Sequence, residues 1–164
     1  MIADKPCCAG KELSKEETYQ AVYEAAKHLI TRAEKPLSNM SNLSALLKQS
    51  FPSFSWVGFY LVEDDALWLG PFQGKVACTR IEIGKGVCGT AAKHCQTVVV
   101  PDVHKFEGHI ACDSGSNSEI VVPILKNNEL IGVLDIDSYE FNNFDDVDVR
   151  YLNRIVEHFA EEVF

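Results

Sequence analysis

Apolar residues recur with a helical period in the first third of the chain. Ser14 to Glu17 has the capping-box pattern, in which a hydroxyl and a later carboxylate each bind a free amide at the helix end. Apolar residues then follow at spacings of three and four as far as Ile30, which predicts a first helix that we expect Pro36 to end. A weaker pattern from Met40 to Leu47 predicts a second helix.

The apolar pattern changes from Phe54 onwards to short runs rich in aromatic and β-branched residues. Such runs, separated by polar or glycine-containing turns, predict strands at Phe54–Val62, Ala66–Phe72, Thr79–Ile83, Thr97–Val100, Glu119–Leu125 and Glu129–Asp137. The last two strands flank Asn127-Asn128, a pair typical of a hairpin turn. A short helix is predicted around Cys88 to Cys95, and Asp145 or Asp146 can cap a final amphipathic helix.

This order of elements predicts an α+β fold. Neighbouring strands joined by short turns favour a central antiparallel sheet, with the terminal helices packed on one face and a ligand pocket on the other. We expect one domain over residues 1–164, with residues 1–13 as an N-terminal tail. The segment Pro101 to Ser118 has no period, and a loop of this length in a small domain is usually functional.

Charge and hydropathy limit the environment of the protein. The net charge is −9 and the pI is about 5.0, which argues against nucleic acid or an anionic membrane as a partner, because both bind clustered Lys and Arg. The N-terminal residues lack the apolar core of a signal peptide, and no stretch is apolar enough to cross a bilayer. We therefore expect a soluble cytoplasmic protein.

The cysteines are the first candidates for chemistry. The chain contains six, and a reducing compartment leaves them as buried thiols, metal ligands or redox groups: Cys7, Cys8, Cys78, Cys88, Cys95 and Cys112. Cys78, Cys88 and Cys112 lie in loops or at element ends, where packing does not demand a cysteine, and this placement favours redox use. Cys88 also lies near a helix N-terminus, where free amides can stabilise a thiolate.

Zinc binding is the competing interpretation of the same thiols. The pairs His109/Cys112 and His94/Cys95 supply ligand atoms of the right type. The chain has no CxxC pair, however, and these spacings match no common zinc module. We therefore expect no metal.

Three acidic residues mark one end of the predicted hairpin. Asp135 and Asp137 are two residues apart in a strand, so both side chains lie on one face, and Glu119 opens the partner strand. Crowded acids among apolar neighbours suit a bound cation, or retain a proton through mutual repulsion. Trp56 in the first strand can supply an aromatic wall for a ligand with an apolar, sulfur-containing end and an ammonium end.

Several ordered motifs together resemble the free methionine-(R)-sulfoxide reductases, which are single GAF domains. The motifs cover the chain from Phe54 to the final helix: Trp56–Leu61, Leu69–Cys78, Gly84–Ala91, Asp102–His104, Gly108–Asp113, Ser116–Val121 and Gly132–Ser138. The resemblance implies a GAF fold and a thiol-dependent reductase of free methionine-(R)-sulfoxide. It also implies a dithiol reductant such as thioredoxin and no cofactor, and it leaves open whether the protein is a homodimer.

The resemblance also implies roles for individual residues. Cys112 matches the nucleophile of the family. Cys78 matches its principal resolving thiol, and Cys88 matches the third cysteine of the set. Glu119, Asp135 and Asp137 match the acids that contact the substrate. Trp56 matches the aromatic wall against the substrate's methyl group. A non-catalytic GAF sensor of a small molecule or of redox state is the main alternative, because most GAF domains only bind ligands.

Overall fold

A computed structural model describes residues 13–110 and 112–164 and contains one six-stranded sheet. The strands are all antiparallel and lie in the order β3-β2-β1-β6-β5-β4. Their bounds are β1 Phe54–Glu63, β2 Ala66–Gln73, β3 Arg80–Glu82, β4 Val98–Val100, β5 Ser118–Lys126 and β6 Glu129–Ser138. The predicted α+β class and antiparallel sheet are confirmed, and each predicted strand is present to within about one residue at either end.

The described residues form four α-helices, three of which cover one face of this sheet. Their bounds are α1 Lys15–Leu29, α2 Pro36–Ser50, α3 Gly86–His94 and α4 Asp146–Val163. The α2 and α4 helices contact the sheet, and α1 packs against both of them. The larger apolar core lies in this layer, where the Tyr19 ring of α1 stacks on Tyr151 at 5.3 Å between ring centroids and contacts the tilted ring of Phe51 at 4.3 Å. The pocket face is therefore the opposite one, as predicted.

Helix ends follow the capping signals, with one correction. Ser14 caps α1 with both bonds of the capping box, and Asp145 caps α4. Pro36 does not end the first helix, which stops at Leu29, but opens α2 at its first turn. A proline fits that position because it lacks the amide hydrogen that a helix start leaves unpaired. The proline therefore marks the start of the second helix and not the end of the first.

The opposite face of the sheet carries a second apolar cluster beneath α3 and the loop 101–118. Trp56 and Tyr60 of β1, with Val87 and Cys88 of α3, belong to this cluster. Among the described residues between β4 and β5, one turn of 3-10 helix at Val103–Lys105 is the only regular structure. A pocket opens between this loop, α3 and the sheet, and residues of all three line it. The predicted pocket face is thus confirmed.

In the described part of the chain, no helix is both long and apolar enough to cross a membrane. The predicted tail, including Cys7 and Cys8, falls almost wholly outside the described residues.

Candidate active site

Strand register brings the predicted binding residues into one row. Trp56 of β1 lies opposite Asp137 of β6, and Asp137 lies opposite Glu119 of β5. Asp135 is two residues along β6, so it lies on the same face one step further into the sheet. The four side chains from three neighbouring strands all line the pocket beneath α3.

The three acids share one site, and two of them are almost inaccessible to water. Glu119 and Asp135 are 6% and 7% exposed, and Asp137 is half-buried. Burial raises the pKa of each carboxyl well above its ordinary range, and repulsion between the neighbouring acids adds to the rise. A hydrogen bond with Ser116 opposes the rise in the pKa of Asp137. The site therefore retains protons at a pH where surface carboxyls have lost them.

One atom in this group is left without a partner. Oδ1 of Asp135 is buried and has no hydrogen-bond partner among the described residues. A buried polar atom without a partner costs free energy, so native proteins usually keep such atoms for a ligand or a chemical role. The pocket is therefore built to place a hydrogen-bond donor or a positive charge against Asp135.

Two of the predicted redox thiols are already joined. Cys78 and Cys112 form a disulfide with 5.5 Å between their Cα atoms. Cys78 lies in the segment between β2 and β3, and Cys112 lies in the loop before β5. Both residues are half-buried, and Cys112 lines the pocket that contains the acids. The zinc pair of His109 and Cys112 is not available in this state, because the Cys112 sulfur is bonded to Cys78.

The third predicted thiol is placed differently from the expectation. Cys88 is the third residue of α3, but its side chain is buried and Sγ lies 3.9 Å from Oε1 of Glu119. Burial raises the pKa of the Cys88 thiol well above its ordinary value, and repulsion from Asp135 and Glu119 adds to this. The helix N-terminus therefore does not make Cys88 a thiolate in this state. Cys95 is free and exposed at the C-cap of α3.

Two glycines and a neighbouring aromatic ring position the Trp56 side chain. The Trp56 indole stacks on Phe72 at 5.3 Å between ring centroids, and its Nε1 donates to the Lys75 carbonyl at 3.0 Å. A Cβ atom at Gly58 or Gly74 would collide with the Trp56 ring. Glycine at these two positions therefore lets the indole lie flat over β1 and face the acids across the pocket.

Two further pocket residues have roles that the sequence did not suggest. Tyr60 shares the face of Trp56, and its hydroxyl donates to the Cys78 carbonyl at 2.9 Å. The even spacing of Trp56, Gly58 and Tyr60 along β1 was a signal that could have identified it. His109 of the loop places its Nε2 atom 3.6 Å from Oε2 of Glu119, a contact that the sequence did not predict. Burial lowers the pKa of His109, so at neutral pH the imidazole is neutral.

The buried acids and Cys88 also have the ligand types of a cation site. One ligand atom from each of Cys88, Glu119 and Asp135 lies within 4.8 Å of the others. The same atoms suit an organic ammonium, which carboxylates bind through charge-assisted hydrogen bonds. Because a disulfide sulfur and a site for positive charge line the same pocket, the geometry suits redox chemistry on a small cationic molecule.

Known proteins share both the sequence and the fold. The GAF domain family model matches residues 42–162. GAF domain-containing protein A of Dictyostelium discoideum is 51% identical over 144 residues, covering 87% of this chain and 90% of that protein. Free methionine-R-sulfoxide reductase of Escherichia coli is 49% identical over 144 residues, covering 88% and 87%.

A solved structure extends the likeness to three dimensions. Free methionine-R-sulfoxide reductase from Neisseria meningitidis, in complex with its substrate, superposes with a TM-score of 0.87 at 42% identity, covering 93% of this chain and 92% of that one. Identity at this level over nearly the whole chain goes well beyond a shared fold. The chain belongs to the GAF domain family and, within it, to the free methionine-R-sulfoxide reductases.

Proposed function

We propose that this protein reduces free methionine-(R)-sulfoxide to methionine with electrons from its own cysteines. The observation that carries the proposal is the union, in one pocket, of the buried and partly unpaired acids with Cys112 of the disulfide. The names of the Escherichia coli and Neisseria meningitidis relatives support the same activity.

We assign the nucleophile to Cys112. Its thiolate attacks the sulfoxide sulfur, the oxygen passes to the Cys112 sulfur, and methionine leaves as the thioether. The enzyme is left with a sulfenic acid at Cys112. Cys112 is the better choice of the disulfide pair because it lines the pocket with the acids, whereas Cys78 joins it from the neighbouring segment.

The acids serve the two polar ends of the substrate. The sulfoxide oxygen gains negative charge as its bond to sulfur breaks, so a neutral carboxylic acid beside it can donate the proton it needs. We assign this donor to Asp137, which lies across from Trp56 and whose pKa is raised by burial. Glu119 and Asp135 lie deeper and hold the ammonium group, and Trp56 packs against the methyl group.

A second thiol completes the half-reaction. The Cys78 thiolate attacks the Cys112 sulfenic acid, a disulfide forms, and the oxygen leaves as water. A dithiol of the thioredoxin class then reduces the disulfide by exchange. Cys88 is the reserve thiol, because it is free and lies in the same pocket. We further propose that the chain acts as one domain in the cytoplasm, where such reductants are kept reduced.

Single-turnover reactions without reductant test the assignment. On separated R and S epimers of free methionine sulfoxide, the reduced native protein should release methionine from the R epimer only. Cys112→Ser should release none, whereas Cys78→Ser should release about one equivalent and then stall as a sulfenic acid. Cys95→Ser, which alters an exposed thiol outside the pocket, is the matched control.

A non-catalytic GAF sensor remains the second candidate, since the Dictyostelium discoideum relative is named only for its domain. Binding of the R epimer without any methionine release would favour the sensor. Full release by Cys112→Ser would instead move the role of nucleophile to Cys88.

A further inference from the structure

Three side chains outside the proposed cycle join the two cysteine segments. Asp113 directly follows Cys112, Lys75 lies three residues before Cys78, and Tyr139 directly follows β6. The Tyr139 hydroxyl donates to Oδ2 of Asp113 at 2.9 Å. Nζ of Lys75 lies 3.4 Å from the same oxygen and 5.0 Å from the centroid of the Tyr139 ring. Asp113 is therefore the hub of a link between the Cys112 loop, the Cys78 segment and the acid-bearing strand.

Each end of this link is held by the backbone around it. The Gly115 amide donates to Oδ1 of Asp113 at 3.0 Å, and the Lys75 carbonyl accepts the indole N–H of Trp56 at 3.0 Å. The Gly115 amide, followed by the Tyr139 hydroxyl and Lys75, lowers the pKa of Asp113. The Asp113 carboxylate therefore stays charged at neutral pH, and the backbone of Lys75 is held by Trp56 of β1, a contact that does not involve the disulfide.

We propose that Lys75, Asp113 and Tyr139 form a non-covalent latch that keeps Cys78 beside Cys112 while both sulfurs are reduced or Cys112 is a sulfenic acid. The inference rests on the proposed thiol cycle and adds positioning residues to it. A disulfide requires its two Cα atoms within about 7 Å, and the latch spans the same two segments that the disulfide joins at 5.5 Å.

The latch acts on one step of the cycle. In resolution, the Cys78 thiolate attacks the Cys112 sulfur, the S–S bond forms, the S–O bond breaks, and the oxygen takes up protons to leave as water. Holding the two segments together raises the effective concentration of Cys78 for this attack. Oxygen transfer from the substrate involves Cys112 and the acids but not Cys78, so the latch should leave that step alone.

The test separates these two steps in one protein. In a background carrying Cys7→Ser, Cys8→Ser and Cys95→Ser, reduced enzyme reacts with one equivalent of the free R epimer and is quenched at intervals. The amount of methionine released measures oxygen transfer. The ratio of sulfenic acid, trapped with dimedone, to disulfide measures resolution. For Lys75→Gln we expect unchanged methionine release and about three- to fivefold slower resolution, since exposed ion pairs contribute modestly. Lys75→Arg should keep near-native resolution.

Lys105→Gln is the matched control. Lys105 is an exposed lysine of the same loop and pairs with Asp102 at 3.1 Å, but it does not reach the Cys78 segment. High salt should slow resolution in the native protein towards the Lys75→Gln rate and change Lys75→Gln little, because salt screens exposed charges.

The outcomes distinguish this inference from the proposed function. If Lys75→Gln resolves at the native rate, or if Lys105→Gln slows resolution equally, the latch is wrong and the thiol cycle stands. If the native protein releases no methionine, the proposed function itself fails. Equal slowing of both steps in Lys75→Gln would show a general structural role and would also overturn the latch.

Discussion

Asp135 combines two properties that rarely occur together in a residue kept for structure alone. Its carboxyl is 7% exposed, and one of its oxygens has no partner among the described residues. Burial raises its pKa in the folded protein, so folding favours the protonated form. The contribution of this acid to the free energy of unfolding is therefore greatest below the ordinary carboxyl pKa. It is lost as the pH rises towards the pKa of Asp135 in the folded protein.

Asp135→Asn should therefore stabilise the protein, and the gain should grow with pH. Asparagine keeps the shape of the protonated acid but never takes up charge. The gain in the free energy of unfolding should increase between about pH 5 and pH 8 by up to about 1.4 kcal/mol per pH unit. Denaturant unfolding at the two pH values measures it. Glu34→Gln, at an exposed position, is the control, and a gain for Asp135→Asn that did not change with pH would contradict the prediction.

Asp137→Asn should slow the chemistry rather than weaken binding. If Asp137 donates the proton to the departing sulfoxide oxygen, its amide cannot do so, and kcat should fall by about 100-fold or more. KM should change little, because the deeper acids hold the ammonium group. Steady-state kinetics with a dithiol reductant measures both constants. An unchanged kcat with a raised KM would remove Asp137 from the transition state.

The sequence identified these residues as candidates, but not their environment. The period of a strand places Asp135 and Asp137 on one face. Register and depth, which come from the packing of neighbouring strands and of the roof above them, decide which acid is buried and which is half-buried. Cys88 shows the limit well: its place near a helix start indicated a stabilised thiolate, whereas the side chain points into the acids and its pKa is raised.

Whole elements were more predictable than the contacts between them. Strand patterns and capping residues located the sheet and helices, because those signals are local. The weak apolar pattern of α2 predicted little more than its existence, yet α2 covers β1 and β2 because tertiary packing can outweigh propensity. The loop 101–118 has no period, so its path over the pocket could not be inferred.

A buried polar network between α1 and α4 could not be predicted either, because its members are far apart along the chain. Asp148 is fully buried and accepts from the Tyr19 hydroxyl at 2.7 Å and from Nζ of Lys15 at 2.6 Å. These partners are 129 and 133 residues away along the chain. Sequence patterns show an acid in the first turn of a helix, which usually serves as an exposed cap residue.

Asp148→Ala should destabilise the fold strongly without acting on the pocket. The change leaves the buried Tyr19 hydroxyl without its partner and removes both a hydrogen bond to Lys15 and the capping-box bond from the Asp145 amide, which together should cost about 3 kcal/mol in the free energy of unfolding. Asp146→Ala, at an exposed position in the same helical turn, should cost less than about 1 kcal/mol. Thermal or denaturant unfolding compares the two, and equal losses would show that Asp148 acts only through the helix terminus.

At the scale of the whole molecule, the fold gives the two faces of the sheet different tasks. In the described residues, one face carries three helices and the larger apolar core. The other carries one short helix and a loop, which leave room for a ligand but roof it over. If the proposed roles hold, this division places the binding acids on paired strands, which favour a preorganised site, and the nucleophilic thiol on a loop.

From this covered pocket we expect selectivity for the free amino acid. The acids lie beneath α3 and the loop, where a polypeptide would need to unfold the roof to reach them. N-acetyl-methionine-(R)-sulfoxide keeps the reacting sulfoxide but has no ammonium group for Glu119 and Asp135. Without the ammonium group the substrate loses its charge-assisted hydrogen bonds to these acids, which should cost several kcal/mol in binding free energy, so kcat/KM for the acetylated substrate should fall on the order of 100-fold or more.

Asp135→Asn serves as the internal check on this explanation. If the buried carboxyl recognises the ammonium group, replacing it should lower kcat/KM for the free substrate much more than for the acetylated one and so narrow the gap between them. A gap that stayed the same would mean that the roof alone excludes the acetyl group. Comparable rates on the two substrates in the native protein would contradict selectivity for the free amino acid altogether, because neither the charge nor the closed pocket would then decide what binds.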